Sequence, residues 1–216
     1  MFPHSDNESR GIEDLRLVRF VDDDDSVTYF GTYTATSGEH ILPMMLETQD
    51  FRRLKVHSLS GARVQNKGMA LFPRKVGGSY VMCSRIDGQN LFMMESESPY
   101  FWETARMLAR PKYPWELRII GNCGSPMETS EGWLLLTHGV GPMRRYCIGA
   151  MLLDPDDPFR LIGRLRDPLI TPGPDEREGY VPNVVYSCGG MIINDMVFIP
   201  YAIADCAATM APVSLD

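Results

Sequence analysis

The sequence predicts an all-β protein, and more specifically a β-propeller, from three observations. A β-hairpin pattern recurs about every 55 residues, in copies that begin near Asp14, Ala70, Ser125 and Asn183. The turns that follow the third strand of each unit fall near positions 48, 97 and 155, which repeats the same period. Helical periodicity is weak throughout, and a repeat of this length built from strands alone is typical of propeller blades.

The repeat divides the chain into one domain, residues 1–216, with three complete units and one partial unit. The predicted blades cover residues 11–61, 66–110, 121–167 and 180–216. The last unit stops shortly after its third strand, so the pattern predicts about three and a half blades. A propeller needs roughly 4–8 blades to close its ring. We therefore expect a fragment or natural truncation of a longer propeller, with an exposed blade edge.

Composition limits which partners and which cellular compartment we expect for this chain. The net charge of −7 argues against binding to nucleic acid or to anionic membranes. The five cysteines are scattered and include no C-x-x-C pair, which favours a reducing compartment. The first residues do not resemble a signal peptide, and no apolar run approaches the length of a membrane span. We expect a cytoplasmic protein, and a homo-oligomer is left open.

Asp14 is the candidate catalytic acid. It lies at the start of the first predicted strand, within Gly11–Arg16. A carboxylic acid at the mouth of an apolar strand can retain its proton and protonate a leaving oxygen. The alternative is that Glu13 and Asp14 form ordinary ion pairs with Arg16 or Arg19.

Two cations are candidates for an anion site. Lys67 precedes the first strand of the second unit and Arg85 ends its second strand, so both can reach the same end of one blade. A planar guanidinium beside a point-like ammonium suits an oxyanion such as phosphate. The alternative is a pair of ordinary surface cations.

Polar residues recur at the corresponding end of the third and fourth units. His138 occupies the place that Arg85 takes in the second unit, and we expect it to donate a hydrogen bond to a ligand. Arg144, Arg145 and Tyr146 follow at the start of the next strand, and Asp205 lies in the equivalent region of the fourth unit. Together they would suit a sugar pocket; the alternative is ordinary strand-end polarity.

No metal site or cofactor motif is predicted. The histidines lie far apart in unrelated contexts, which disfavours a zinc site. The acidic run Asp22–Asp25 lacks the glycine and distal glutamate of an EF-hand, so a solvated turn is favoured over a calcium loop. The sequence also lacks a P-loop, a G-x-S-x-G elbow and an HExxH motif.

At these positions the chain resembles glycoside hydrolase family 130, the five-bladed β-propeller mannoside phosphorylases and their relatives. The resemblance extends over essentially the whole chain. Its most specific stretches are Gly11–Arg16, Asn66–Lys75, Glu131–Val140 and Val181–Gly189. It also implies that the first one to two blades of the family are absent here.

The resemblance implies inverting cleavage of β-mannosides, with inorganic phosphate as co-substrate and mannose 1-phosphate as product. The proton donor of the family lies in a Glu-Asp-Pro-Arg-like motif, which Asp14 matches, although Leu15 stands where proline is common. The phosphate contacts map onto Lys67 and Arg85, with His138 nearby. The sugar contacts map onto Tyr146 and Asp205, with Arg145 beside them. No other cofactor is implied, and the expected partner is a small oligosaccharide.

Two alternatives stay open at this point. An inverting hydrolase would need a second carboxylate about 6.5–9.5 Å from the acid, for which Glu128, Glu178 and Asp205 are candidates. A non-catalytic sugar-binding propeller fragment is the other. Phosphorolysis is favoured because cations outnumber plausible bases at the predicted pocket.

Overall fold

The computed structural model describes residues 2–3 and 5–215 and is built from β-strands, with four 3-10 turns of three residues each. Asp216, the last residue of the predicted fourth blade, and Met1, the first of the predicted domain, lie outside the described residues. The 3-10 turns are Asp6–Glu8, Pro114–Glu116, Pro142–Arg144 and Pro174–Glu176. None of the helices in the described part is long and apolar enough to cross a membrane.

The first two blades are regular antiparallel four-stranded sheets in which neighbouring strands are also consecutive in sequence. Blade one contains β1 (Gly11–Val21), β2 (Val27–Thr36), β3 (Ile41–Thr48) and β4 (Lys55–Ser58). Blade two contains β5 (Lys67–Leu71), β6 (Tyr80–Arg85), β7 (Leu91–Ser96) and β8 (Thr104–Ala109). The acidic run Asp22–Asp25 forms the β1–β2 turn, where Lys75 Nζ lies 2.7 Å from Asp22.

The third and fourth blades have a divided first strand. In blade three, both β9 (Ile119–Asn122) and β10 (Met127–Thr129) pair with β11 (Gly132–Val140), which is followed by β12 (Tyr146–Leu153) and β13 (Leu161–Arg164). In blade four, both β14 (Val185–Tyr186) and β15 (Met191–Ile193) pair with β16 (Met196–Ile203), which is followed by β17 (Ala207–Ser214).

The prediction of an all-β propeller is confirmed, but the predicted blade count of three and a half is wrong. The described residues form four blade sheets. The fourth blade was counted as partial because the sequence stops shortly after its third strand. That strand is β17, in the third position from the inside, and the sheet has four strands because its first strand is divided into β14 and β15.

Successive blades pack face to face through apolar side chains. Phe20 on blade one lies stacked on Tyr80 of blade two, with ring centroids 5.3 Å apart. Phe72 on blade two meets Trp133 of blade three edge-on at 5.1 Å. A third cluster, which includes Leu136 and Val197, joins blades three and four. Burial of these faces is the main stabilising term, and it brings the equivalent ends of all four blades to one place.

Candidate active site

All four blades contribute side chains to one small polar cavity of about 160 Å³. Six of the seven residues that the sequence singled out for the site line it. The lining residues are Glu13, Asp14, Lys67, Arg85, His138, Arg144, Tyr146, Val181, Val184, Tyr186 and Asp205. Hereafter we call it the polar cavity.

Asp14 lies on a bulge in β1, where the register with β2 shifts between Glu13 and Arg16. Its backbone has a φ of 60°, in the left-handed region that aspartate tolerates better than most residues. Its carboxylate accepts a hydrogen bond from the Tyr186 hydroxyl at 3.0 Å. The Cys188 sulfur lies 3.9 Å from the other carboxylate oxygen, and burial together with Asp14 raises the pKa of that thiol to about 11.

Arg16 lies behind Asp14 and is only 2% exposed. One of its terminal nitrogens donates to the Tyr186 hydroxyl at 2.5 Å and lies 3.7 Å from the Asp14 carboxylate. Burial alone would lower the pKa of Arg16, but Tyr186 and Asp14 raise it above its ordinary value. The pairing of Asp14 with Arg16, which the sequence left open as an alternative, is therefore present at the same site. The Tyr186 hydroxyl bridges the two side chains.

Sequence reasoning named Arg16 only as an alternative ion-pair partner of Asp14, and it did not single out Tyr186. In β1 both faces are apolar, since Leu15 and Leu17 lie on one side and Val18 and Phe20 on the other. The alternation therefore did not show that Arg16 points inward. Tyr186 lies on β14, at the start of blade four, as Asp14 and Lys67 lie on the first strands of blades one and two. Its neighbours in the strand are apolar, so the sequence pattern did not mark it as a site residue.

The two predicted anion ligands are cross-strand neighbours in the register of β5 and β6. Lys67 Nζ contacts the Glu13 carboxylate at 2.9 Å. Arg85 donates from one terminal nitrogen to His138 at 3.0 Å. Its buried Nε has no hydrogen-bond partner within residues 2–3 and 5–215. The guanidinium thus keeps donors that nothing in this part of the chain uses.

His138 is buried, and its ring contacts Arg85 and the Asn122 carbonyl. Its Nδ1 lies 2.9 Å from the Asn122 carbonyl, which can only accept, and its Nε2 lies 3.0 Å from Arg85, which can only donate. Both contacts are satisfied by the neutral imidazole with its proton on Nδ1. Burial and the positive charges of Arg85 and Arg16 lower the pKa of His138 well below its ordinary value. Both ring nitrogens of His138 are thus engaged within the protein in this geometry, and its donation to a ligand stays a prediction.

A glycine makes room for this histidine. Gly121 on β9 is the cross-strand partner of His138 on β11. A Cβ at position 121 would lie 2.6 Å and 2.9 Å from two atoms of the imidazole ring. The first half of the divided strand therefore fixes the ring against Arg85, and the absence of a side chain at position 121 is what permits it.

Tyr146 and Asp205 also line the polar cavity. The Tyr146 ring lies nearly parallel to that of His138, with centroids 6.2 Å apart. Asp205 is exposed and has a φ of 53°, in the turn between β16 and β17. Both are therefore available to a ligand, as the predicted sugar contacts require.

Arg145 does not line the polar cavity, and Arg144 does. The two residues before Arg145 both adopt left-handed backbone, with φ of 59° at Met143 and 55° at Arg144. This turn sends Arg145 into a neighbouring cavity beside Trp115 and Arg177. The prediction that placed Arg145 with the other site residues is corrected in that respect.

Of the three candidates for a second carboxylate, the structure brings Asp205 alone to the polar cavity. Glu128 instead forms a two-point ion pair with Arg74, at 2.5 Å and 3.1 Å. Glu178 is exposed and does not line the cavity. Three cations, Lys67, Arg85 and Arg144, line the polar cavity beside Asp205, the one predicted base that reaches it.

The geometry thus combines a carboxylic acid, a cationic wall and sugar-compatible polar groups in a cavity shared by four blades. The sequence model of glycoside hydrolase family 130, described as β-1,4-mannooligosaccharide phosphorylase, matches residues 1–216. The chain belongs to glycoside hydrolase family 130.

Curated relatives in this family are mannoside phosphorylases. The chain is 31% identical over 209 residues to a 1,2-β-oligomannan phosphorylase of Thermoanaerobacter sp. strain X514, a match that covers 95% of this chain and 69% of the relative. It is 34% identical over 202 residues to a β-1,2-mannobiose phosphorylase of the same organism, covering 92% and 65%. The chain thus spans about two thirds of the length of these relatives.

Solved structures agree with the fold. The β-1,2-mannobiose phosphorylase of Listeria innocua, in complex with β-1,2-mannobiose, superposes with a TM-score of 0.87 at 27% identity. The match covers 100% of this chain and 61% of that one. Family 130 neighbours are five-bladed propellers, whereas the described residues here form four blades. The predicted resemblance to family 130 is confirmed.

Proposed function

We propose that this chain catalyses the inverting phosphorolysis of a β-mannoside, which releases mannose 1-phosphate. The observation that supports it most directly is the polar cavity, where Asp14 faces Lys67, Arg85 and Arg144 within one small volume. The mannoside phosphorylase names of the curated relatives support the same reaction class.

In this reaction Asp14 gives its proton to the glycosidic oxygen, directly or through a sugar hydroxyl. Inorganic phosphate, held by Lys67 and Arg85, attacks the anomeric carbon from the opposite face. The bond from that carbon to the leaving oxygen breaks as the bond to phosphate forms. Phosphate carries its own negative charge, so a general base is not needed. Tyr146 and Asp205 contact the mannose ring, and His138 fixes the Arg85 guanidinium from behind.

We also propose that the substrate is a small β-mannosyl oligosaccharide and that the protein is cytoplasmic. The curated relatives above act on β-1,2-linked mannosides by name, so that linkage is the first to test. All five cysteines are free, and Cys83, Cys123 and Cys147 are buried, which suits a reducing compartment.

The test is release of mannose 1-phosphate from β-1,2- and β-1,4-mannobiose, with and without inorganic phosphate. We expect phosphate-dependent turnover in the wild type, at least a hundredfold lower in Asp14→Asn because the proton donor is lost. Asp167→Asn, at an exposed position away from the cavity, is the matched control and should keep full activity.

Free mannose regardless of phosphate would contradict phosphorolysis and indicate a hydrolase with Asp205 as the base. In that case Asp205→Asn should abolish turnover, and the carboxylate separation rule for inverting enzymes would apply. Binding of mannobiose without turnover under either condition would indicate a non-catalytic sugar-binding propeller.

A further inference from the structure

The Tyr186 hydroxyl lies between the acid and a buried positive charge. It donates to Asp14 Oδ2 at 3.0 Å and accepts from Arg16 Nη2 at 2.5 Å, whereas Arg16 and Asp14 are 3.7 Å apart. Arg16 comes from the same strand as Asp14, and Tyr186 comes from blade four. The bridge therefore spans two blades and is built around the proposed proton donor.

The identity of the donor in this bridge follows from the chemistry of the three groups. A guanidinium has no acceptor, so Arg16 must donate to the phenol oxygen. Burial raises the pKa of Tyr186 well above its ordinary value, even though Arg16 alone would lower it. The phenol therefore keeps its proton and has it available for the Asp14 carboxylate.

The distance between Arg16 and Asp14 matters for an acid that must be protonated to work. A guanidinium in direct contact with a carboxylate favours the charged form and typically moves the titration of that carboxylate down by about 1–3 pH units. A charge-assisted contact of this kind is also stronger than a hydrogen bond from a neutral phenol. Arg16 lies 3.7 Å from the Asp14 carboxylate, so a small movement of either side chain would bring them into such a contact.

We propose that Tyr186 is a positioning residue that keeps the Arg16 guanidinium from direct contact with the Asp14 carboxyl group, so that this group stays able to deliver a proton. The inference rests on the proposed function in one respect, namely that Asp14 is the proton donor. The same hydroxyl can accept from protonated Asp14, so it orients the side chain in both of its states.

Other charged or titratable groups face Asp14 from the neighbouring elements and must stay constant in a test. Cys188 is in contact with it from the segment after β14. The rest share the polar cavity: Glu13, Lys67, Arg85, His138, Arg144, Tyr146 and Asp205. The Tyr186 hydroxyl bonds to both Asp14 and Arg16, so its removal in Tyr186→Phe addresses the bridge.

The experiment compares the pH dependence of kcat/KM for phosphorolysis in the wild type, Tyr186→Phe and the control Tyr201→Phe. Tyr201 lies on β16 of the same sheet, and its hydroxyl contacts Glu176 rather than the cavity. We expect the basic limb in Tyr186→Phe to move to lower pH by about 1 unit, because Arg16 then pairs directly with the acid. Tyr201→Phe should leave the limb in place.

A second variant tests the cause. In Tyr186→Phe combined with Arg16→Met, the charge is gone, and the basic limb should return to the wild-type pH or above it. A limb that is unchanged or moved to higher pH in Tyr186→Phe would overturn the proposal. A limb that stays low in the double variant would overturn it as well, because Arg16 would then not be the cause.

A readout independent of turnover separates this inference from the proposed function. In protein labelled with ¹³C at the aspartate carboxyl carbons, the Asp14 signal is assigned by its loss in Asp14→Asn. Its titration midpoint should be lower in Tyr186→Phe than in the wild type. If the wild type releases no mannose 1-phosphate, the proposed function fails, while this midpoint still decides the role of Tyr186.

Discussion

At the scale of single residues, His138 shows how a buried neutral group links stability to pH. Its pKa is lowered in the folded chain by burial and by Arg85, whereas in the unfolded chain it returns to about 6.5. Below that pH the unfolded state binds a proton that the folded state does not. The stability that neutral His138 provides is therefore present above about pH 6.5 and is lost as the pH falls below it.

We expect the free energy of unfolding of the wild type to fall as the pH is lowered from 6.5 to 5.5. In His138→Gln this fall should be smaller by about 1 kcal/mol. Urea denaturation at the two pH values measures the difference. His40→Gln is the control, because His40 is exposed and should leave the pH dependence as it is. Parallel curves for the wild type and His138→Gln would show that His138 is protonated in the folded chain.

Asp14 is constrained by its own backbone, which has a φ of 60° and lies in the left-handed region. Asparagine tolerates this conformation, whereas a β-branched residue does not. We therefore expect Asp14→Val to be less stable than Asp14→Asn by about 1–3 kcal/mol, measured by urea denaturation.

The same pair of substitutions at Asp167, which is not in the left-handed region, should differ by less than about 0.5 kcal/mol. Equal stability of the two Asp14 variants would mean that the bulge relaxes without cost. Sequence reasoning found Asp14 from its motif, but it could not find this constraint, since the bulge arises from the pairing of β1 with β2.

At the scale of elements, the divided first strand of blade three positions His138 against Arg85, which we propose as a phosphate ligand. Gly121→Ala would place a methyl group within 3 Å of the His138 ring, so the ring must move and Arg85 with it. We expect KM for phosphate to rise roughly tenfold, about 1.4 kcal/mol of lost binding, with a smaller change in kcat.

The control is Gly163→Ala on β13, where the new methyl group would meet only Leu152 at 3.3 Å. Steady-state kinetics with varied phosphate distinguish the two variants. An unchanged KM in Gly121→Ala would show that the position of His138 does not govern Arg85.

Elements with a plain hairpin pattern were predictable, and interrupted elements were not. The predicted blades at 66–110 and 121–167 contain the uninterrupted strands β6 and β12. The short strand β9 was missed, because four apolar or small residues before a glycine- and serine-rich stretch carry no alternation. Arg145 was predicted in the cavity because the strand pattern does not show that Met143 and Arg144, just before it, adopt left-handed backbone.

At the scale of the whole molecule, the outer face of blade four is apolar and exposed. Met191, Ile193 and Met210 are 58%, 46% and 57% exposed. The register places Met191 beside Phe198 and Met210 beside Pro200, so these side chains form one continuous surface. Contiguous apolar surface of this kind favours association between molecules.

We expect the chain to self-associate with increasing concentration and the variant Met191→Lys with Met210→Glu to associate less, as measured by sedimentation velocity. Met107→Lys is the control, because Met107 is an exposed methionine on β8, away from this face. Identical sedimentation of the wild type and the double variant would show that the face plays no part.

The repeat period made the propeller predictable, because each blade encodes its own hairpins locally. Site residues were predictable where they stand at the end of a predicted strand, as Asp14 and Arg85 do. Arg16 and Tyr186 meet only after four blades have packed together, and nothing in either local segment records that contact.

The hydrogen bonds of Tyr186 to Arg16 and to Asp14 span 170 and 172 positions of the chain. Contacts of such sequence separation form late in folding, since the entropy of closing the intervening loop must be overcome first. Asp14 therefore acquires this partner only when blade four has reached blade one. Each blade pairs its own strands, yet the polar cavity belongs to none of them alone, since residues of all four blades line it.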